Sequence, residues 1–408
     1  MRIALAVDGT RGDVFPMLAL GEQLRAAAHD VVICGPPDSR RDCEDRGLAF
    51  RPMGVDVHEF LARGAPQLAG GPLEFAVAGK RYFDATVAHQ FDRLPDATSD
   101  VDLILGAGVV FAGATAAELH GIPYRFVAYC PMMLPSSEHP PFLVPVGSAP
   151  RWINRLLWRY LVPAFTRLVA IPINRRRREL GLAPLTDLYR ALVSERPILA
   201  TVSQLAPTPS DCPFEVTQIG CLHPTTGPAL PEKLQAFLDA GDPPVYVGFG
   251  SMTDGDPDRT TRAVLAAVEA IGCRALISGG WAGLGAVPLP SDVMRVDTVD
   301  HNRLFERVSV VVHHGGAGTT ASAARAGAPQ IVVPHGADQY YWGARVHQLG
   351  LGPRPIPRAR LDARRLEVAL RGTLDAEITS IRAGELRDEI RAAEACRRDP
   401  IELLGLRG

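Results

Sequence analysis

A chain of 408 residues with 47% apolar and 22% charged residues is long enough for two ordinary domains with sizeable cores, and leaves little room for disorder. Its net charge of −2, from 43 Lys and Arg against 45 Asp and Glu, gives no basic footprint, so nucleic acid is not expected as a partner. Seven scattered cysteines without a CxxC pair suggest neither a zinc centre nor a disulfide frame, and no metal site is expected.

Residues 3–7 read as a strand buried on both faces, followed by the turn Gly9-Thr10-Arg11-Gly12-Asp13. A helix comes next, with Pro16 near its start and Met17, Leu20 and Leu24 on one apolar stripe. A second strand at 31–34 ends at Gly35-Pro36-Pro37, and this βαβ opening predicts a parallel sheet with a right-handed crossover. Further strands are expected at 48–50, 103–105, 125–129 and 198–203, and helices at 82–91 and 112–120. Residues 55–79 read as loop with short helices. Residues 131–150 carry six prolines and read as a long loop over the sheet edge.

The opening Met1-Arg2 runs straight into a strand, which is unlike a secretory signal and favours a cytoplasmic setting. The weakly polar stretch 103–117 is too short for a membrane span, so no integral membrane segment is expected. Residues 152–169 are apolar and aromatic at helical spacing; a core helix is the favoured reading, a wall of an acceptor pocket the other. Arg175 to Arg178 read as a solvated helix face in preference to a contact with lipid or phosphate. The Pro-, Thr- and Gly-rich stretch after about 207 divides the chain into a domain over 1–212, a linker over 213–231, a second domain over 232–380 and a helical tail over 381–408.

The second half repeats the alternation, with strands expected at 245–249, 275–278, 294–296, 308–312 and 330–333. Helices are expected near 258–271, 302–307, 318–326, 340–349 and 361–374, giving a second α/β/α unit. Its centre is 308–339: a β-branched strand, the turn His313-His314-Gly315-Gly316-Ala317-Gly318, a helix of small residues, a second strand, then Asp338-Gln339. A strand, a glycine turn and a helix aim several N–H groups and the positive end of a dipole at one spot, where a phosphate fits. The glycine pattern alone serves equally as a tight turn.

The motifs HHGGAGTT (313–320) and Asp338-Gln339-Tyr340-Tyr341 resemble the donor-binding signature of nucleotide-sugar-dependent glycosyltransferases of GT-B fold, the bacterial natural-product and sterol branch. That resemblance implies two Rossmann-like doubly wound domains facing across a cleft, with the tail crossing back to the first. It also implies an inverting, metal-independent hexosyl transfer. The co-substrate would be a UDP- or dTDP-sugar with no other cofactor, and the acceptor an apolar hydroxylated natural product or sterol-like scaffold. The opening GTRGDVFP is similar to the family's start and makes Asp13 the general-base candidate; the competing role is capping the first helix.

On the donor side the resemblance points to His314 and the N–H groups of Gly316, Ala317, Gly318 and Thr319 for diphosphate, and to Asp338 and Gln339 for sugar hydroxyls. Ser251, Trp281, Val299 and His301 fall on loops similar to the family's nucleotide contacts, and Arg11 and Gly12 on the facing turn. His313 reads as packing. Plant relatives carry Glu near position 322, where this chain has Ser322, so the thymidine nucleotide stands level with uridine. A nucleotide-sugar epimerase and a non-catalytic binding protein are the alternatives. A nicotinamide enzyme would want an acid where Cys34-Gly35 stand. The chain is expected as a monomer or homodimer.

Overall fold

A computed structural model describes residues 1–56, 72–223, 229–252, 254–297, 299–396 and 399–405; the expected loop after residue 56 lies largely outside them. The first half runs β1 (Arg2–Asp8), α1 (Arg11–Ala26), β2 (Asp30–Gly35), α2 (Arg40–Glu44), β3 (Ala49–Pro52), α3 (Pro72–Ala97), β4 (Leu103–Gly108), α4 (Gly113–His120) and β5 (Tyr124–Ala128). It continues with α5 (Arg151–Leu156), a π-helical turn (Leu157–Leu161), α6 (Val162–Glu179), α7 (Leu188–Val193), β6 (Ile198–Leu199) and β7 (Thr217–Gln218). The second half comprises α8 (Glu232–Asp239), β8 (Val245–Gly248), α9 (Pro257–Ile271), β9 (Ala275–Ser278), β10 (Val293–Val296), α10 (His301–Leu304), β11 (Val310–His313), α11 (Ala317–Ala326), β12 (Gln330–Val332), α12 (Gln339–Gln348) and α13 (Ala363–Leu374). Two helices follow, α14 (Glu377–Ala395) and α15 (Pro400–Leu403).

Both sheets are wholly parallel, ordered β3-β2-β1-β4-β5-β6-β7 and β10-β9-β8-β11-β12. Ile3 pairs with Val31 on one side and Leu103 on the other, and Val312 with Val247 and Ile331. Helices cover both faces, so the central strands are continuous apolar runs: residues 3–7 and 310–312 are fully buried. In each sheet the strand order reverses beside the first strand, at β1/β4 and at β8/β11. Such reversals open crevices at the carboxyl edge. The turns 9–13 and 314–318 leave from these two places.

The halves share an apolar cluster in which Met132, Val202 and Leu205 meet Tyr341, Trp342 and Val346. Arg345 Nε donates to the Leu205 carbonyl at 2.7 Å. In the long proline loop, Gly147 lies so close to the Tyr340 carbonyl that no Cβ would fit there. At the chain's end, Ile401 and Leu404 pack into the core of the first sheet.

Three local expectations change. Thr217–Gln218, inside the expected linker, forms the seventh strand of the first sheet, beside β6. The helix over 152–169 is not a core helix, since its outer apolar side chains are exposed. Arg177 is not solvated: its guanidinium is buried, donating to Glu118 at 2.8 Å, Thr115 at 3.0 Å and the Ala183 carbonyl at 2.8 Å.

Candidate active site

Asp13 sits in the first turn of α1, where Thr10 and Asp13 make a reciprocal capping box. The Gly12 N–H donates to Thr10 Oγ1 at 3.3 Å, and the Thr10 N–H donates to Asp13 Oδ2 at 2.9 Å. Capping therefore uses one carboxylate oxygen, and the side chain keeps a partly accessible face. Burial raises the carboxyl to about 6 against the pull of the Thr10 hydrogen bonds. The backbone is fixed from behind by Tyr129, whose hydroxyl donates to the Asp13 carbonyl at 2.8 Å. Arg11 turns the other way, toward Asp42 at 3.6 Å and over the Phe15 ring. Gly12 is exposed.

A second acid stands behind Asp13. Asp8, the last residue of β1, is fully buried, and Gln90 Nε2 donates to its Oδ2 at 2.8 Å. Gln90 is committed on every side, donating also to the Val109 carbonyl and accepting the N–H groups of Phe111 and Ala112. Burial lifts Asp8 to about 7, and the Asp13 charge adds to the rise. Nothing in the motif matching pointed to Asp8, although an acid ending the run IALAVD was a visible signal. A carboxyl raised on folding holds its proton longer in the folded than in the unfolded chain. Its contribution to stability is complete below about pH 4 and is lost as pH rises to about 7. Asp8→Asn should remove that part of the decline, on the order of 2–3 kcal/mol between pH 5 and 8. Urea melts at the two pH values check it, and superimposable curves for variant and wild type refute it.

On the facing domain, α11 begins at Gly316 with no side chain capping it, so its first N–H groups are those a helix leaves without an internal partner. Thr320 turns back to the Gly316 carbonyl at 2.9 Å. Ala317, Gly318 and Thr319 each keep accessible surface. His313 is the buried brace of the turn: its Nδ1 accepts the Gly315 N–H at 3.1 Å, so Nε2 carries the hydrogen, donated to Gln330 Oε1 at 3.0 Å. His314 packs against Gly316 so closely that any Cβ there would collide with Nε2. Burial, helped by the neighbouring histidines, drops His314 to about 3, so the imidazole is neutral and acts through one N–H. Its Nδ1 is buried without a hydrogen-bond partner among the described residues.

Asp338 caps nothing, although it stands at the start of α12. Its Oδ2 accepts from Trp342 Nε1 at 3.2 Å. Burial, with a smaller contribution from the charge of Asp13 in the other domain, raises it to about 7. Gln339 is buried, its Oε1 accepting the N–H groups of His335 at 2.7 Å and Gly336 at 3.1 Å. That oxygen holds the loop, leaving the amide nitrogen, now against Met252 Sδ at 3.2 Å, as the end able to turn to a ligand. His335 is a residue the motifs did not single out: Nδ1 binds the Val333 carbonyl, and Nε2 is buried without a hydrogen-bond partner among the described residues.

The other donor-side candidates lie on the neighbouring strand ends. Ser251 follows β8, and the Trp281 N–H donates to the Gly250 carbonyl at 3.1 Å, tying the β9 loop to it. Val299 packs on the second domain's core. His301 stacks on Phe305 at 4.6 Å with Nε2 3.2 Å from the Tyr246 hydroxyl. Ser322 is buried in α11.

Residues 3–134 match the glycosyltransferase family 28 N-terminal domain, and residues 266–403 match the C-terminal domain described as erythromycin biosynthesis protein CIII-like. The chain is 36% identical over 405 residues to the vancomycin aglycone glucosyltransferase of Amycolatopsis orientalis, covering 97% of this chain and 96% of that one. It is 33% identical over 398 residues to a sterol 3-beta-glucosyltransferase of Arabidopsis thaliana, covering 93% of this chain and 64% of that one. The glycosyltransferase VinC, solved in complex with DTDP, shares the fold with a TM-score of 0.70 over 100% of this chain and 99% of its own, at 21% identity.

Proposed function

The chain belongs to the GT-B glycosyltransferases that include the glycopeptide-antibiotic and sterol enzymes, and from that premise we propose that it transfers a hexose, with inversion, from a uridine or thymidine diphosphate sugar to a hydroxyl of an apolar natural product, working in the cytoplasm. Asp13 takes the acceptor's proton. The freed oxygen pair forms the new bond to the anomeric carbon while the bond to the diphosphate breaks on the opposite face. The departing diphosphate keeps that electron pair, and its growing charge falls to the free N–H groups of α11 and the neutral His314 donor. These fixed dipoles supply the stabilisation, so no metal is assigned a role. Burial favours the protonated form of Asp338, which can donate to a sugar hydroxyl where Asp13 accepts.

One observation carries this reading: α1, which holds Asp13, packs against α11, whose uncapped start presents the donor N–H groups, although the two helices belong to different domains. Fixed donors on one wall and a base on the other suit a single displacement. Incubation of the protein with several nucleotide sugars and a mixed aglycone panel, followed by mass spectrometry and proton NMR of the product, tests it. A β-glycoside from an α-linked donor is expected. An α-glycoside contradicts the displacement, and conversion of the nucleotide sugar without an acceptor contradicts the transfer.

A further inference from the structure

Six of the exposed large apolar side chains among the described residues lie on one helical segment of the first domain. Helices α5 and α6, joined by the π turn, form one continuous helix of 29 residues. Trp152, Leu156, Tyr160, Leu168 and Ile171 project outward from it, each between 47% and 69% exposed. They recur at steps of four, four, eight and three residues. In a plain α-helix four-residue steps drift round the axis; the extra residue of the π turn takes back part of the drift and keeps the side chains on one stripe.

Charge on the helix has one sign up to Arg178, and Asp187 of a neighbouring segment lies in the groove that Arg167, Ile171 and Arg178 line. Residues 151–178 contain eight arginines and no acid. Four are matched: Arg151 to Glu138 and Asp211, Arg175 to Glu179, Arg176 to Asp92 and Arg177 to Glu118. Arg155, Arg159, Arg167 and Arg178 are exposed and form no ion pair with any acid among the described residues. The inner side is bound to the first domain through Trp158, which donates to the His139 carbonyl at 3.2 Å, and through the buried Asn154, Ile173 and Arg177.

We propose that this outer face docks on the surface of an anionic lipid bilayer. Aromatic and aliphatic side chains interleaved with unmatched arginines suit an interfacial helix, its apolar edge among the acyl chains and its guanidinium groups at lipid phosphates. The ties of the inner side hold the helix parallel to such a surface, not across it. A second copy of this chain fits poorly, because a two-fold contact would set the arginines against themselves. On the inner side the Trp158 ring meets His139 at 6.2 Å, and the His139 ring meets Tyr341 of the second domain at 5.9 Å. Delivery of an apolar acceptor from lipid rests on the transfer reading; the docking does not.

Sedimentation of the full chain with vesicles of phosphatidylcholine alone, or with one third phosphatidylglycerol, reads binding without activity. Binding to the anionic vesicles that weakens at high salt is expected. Arg155→Gln/Arg159→Gln/Arg167→Gln should partition on the order of a hundredfold more weakly. Leu156→Ser/Leu168→Ser/Ile171→Ser should lose at least about tenfold. Each variant is exposed to solvent, and unchanged melting and nucleotide affinity would show that it folds. Equal binding to both vesicle types, or variants that bind like wild type, overturns the proposal. So does a concentration-dependent dimer that Leu168→Ser/Ile171→Ser converts to monomer.

Discussion

Asp13→Asn is expected to lower kcat by roughly two to four orders of magnitude while nucleotide-sugar affinity stays within about threefold. The substitution separates the two roles of this side chain. Asparagine keeps an amide oxygen for the Thr10 N–H, so the capping box of α1 survives and the melting temperature should hardly move. What it loses is a group that can take a proton. Asp13→Ala, by contrast, should lose both activity and about 1 kcal/mol of stability. Burial places the wild-type carboxyl at about 6, so kcat/KM should climb with pH through about 6 and level off above it. Wild-type turnover in Asp13→Asn, or a profile flat from pH 5 to 8, removes Asp13 from the chemistry and leaves it a capping residue.

His314→Ala should cost about a hundredfold to a thousandfold in kcat, the size of effect seen when one fixed donor to a developing anion is lost. The imidazole fills the space against Gly316, so part of the damage is to packing, and stability is to be read separately. His314→Gln restores a neutral N–H donor and is expected to recover part of the rate. Because burial holds the ring neutral down to about pH 3, no limb near 6.5 should appear in the wild-type profile on its account. Full activity in His314→Ala, with melting unchanged, would mean that the backbone N–H groups bind the diphosphate unaided.

The strands of both sheets were legible because parallel strands buried on two faces leave unbroken β-branched and aliphatic runs, as in residues 3–7 and 310–312. The strand–turn–helix at 310–326 was legible for the same reason, with the glycines marking the turn. Other features depend on partners far along the chain. Asp8 meets Gln90 across 82 positions, so no local pattern exposes the pair. Arg177 looks like its neighbours in a run of four, and only its register on α6 sends it inward to Glu118. Thr217–Gln218 is a two-residue edge strand, too short for alternation to register. Helical spacing over 152–169 marked an apolar face correctly but says nothing of what covers it, which is why a core helix was expected where an exposed stripe stands. Among the donor-side candidates, the resemblance of the HHGGAGTT motif pointed to His314 and the α11 start, while the structure gives the Gln339 oxygen to the His335–Gly336 loop.

The whole reading turns on where the sugar nucleotide lies. The most direct measurement is a crystal structure of the protein soaked with an unreactive sugar-nucleotide analogue. The expected result puts diphosphate oxygens within hydrogen-bond reach of His314 and the N–H groups of residues 316–319, with the anomeric carbon open toward Asp13. A diphosphate held elsewhere, or an anomeric carbon screened from Asp13, would contradict it.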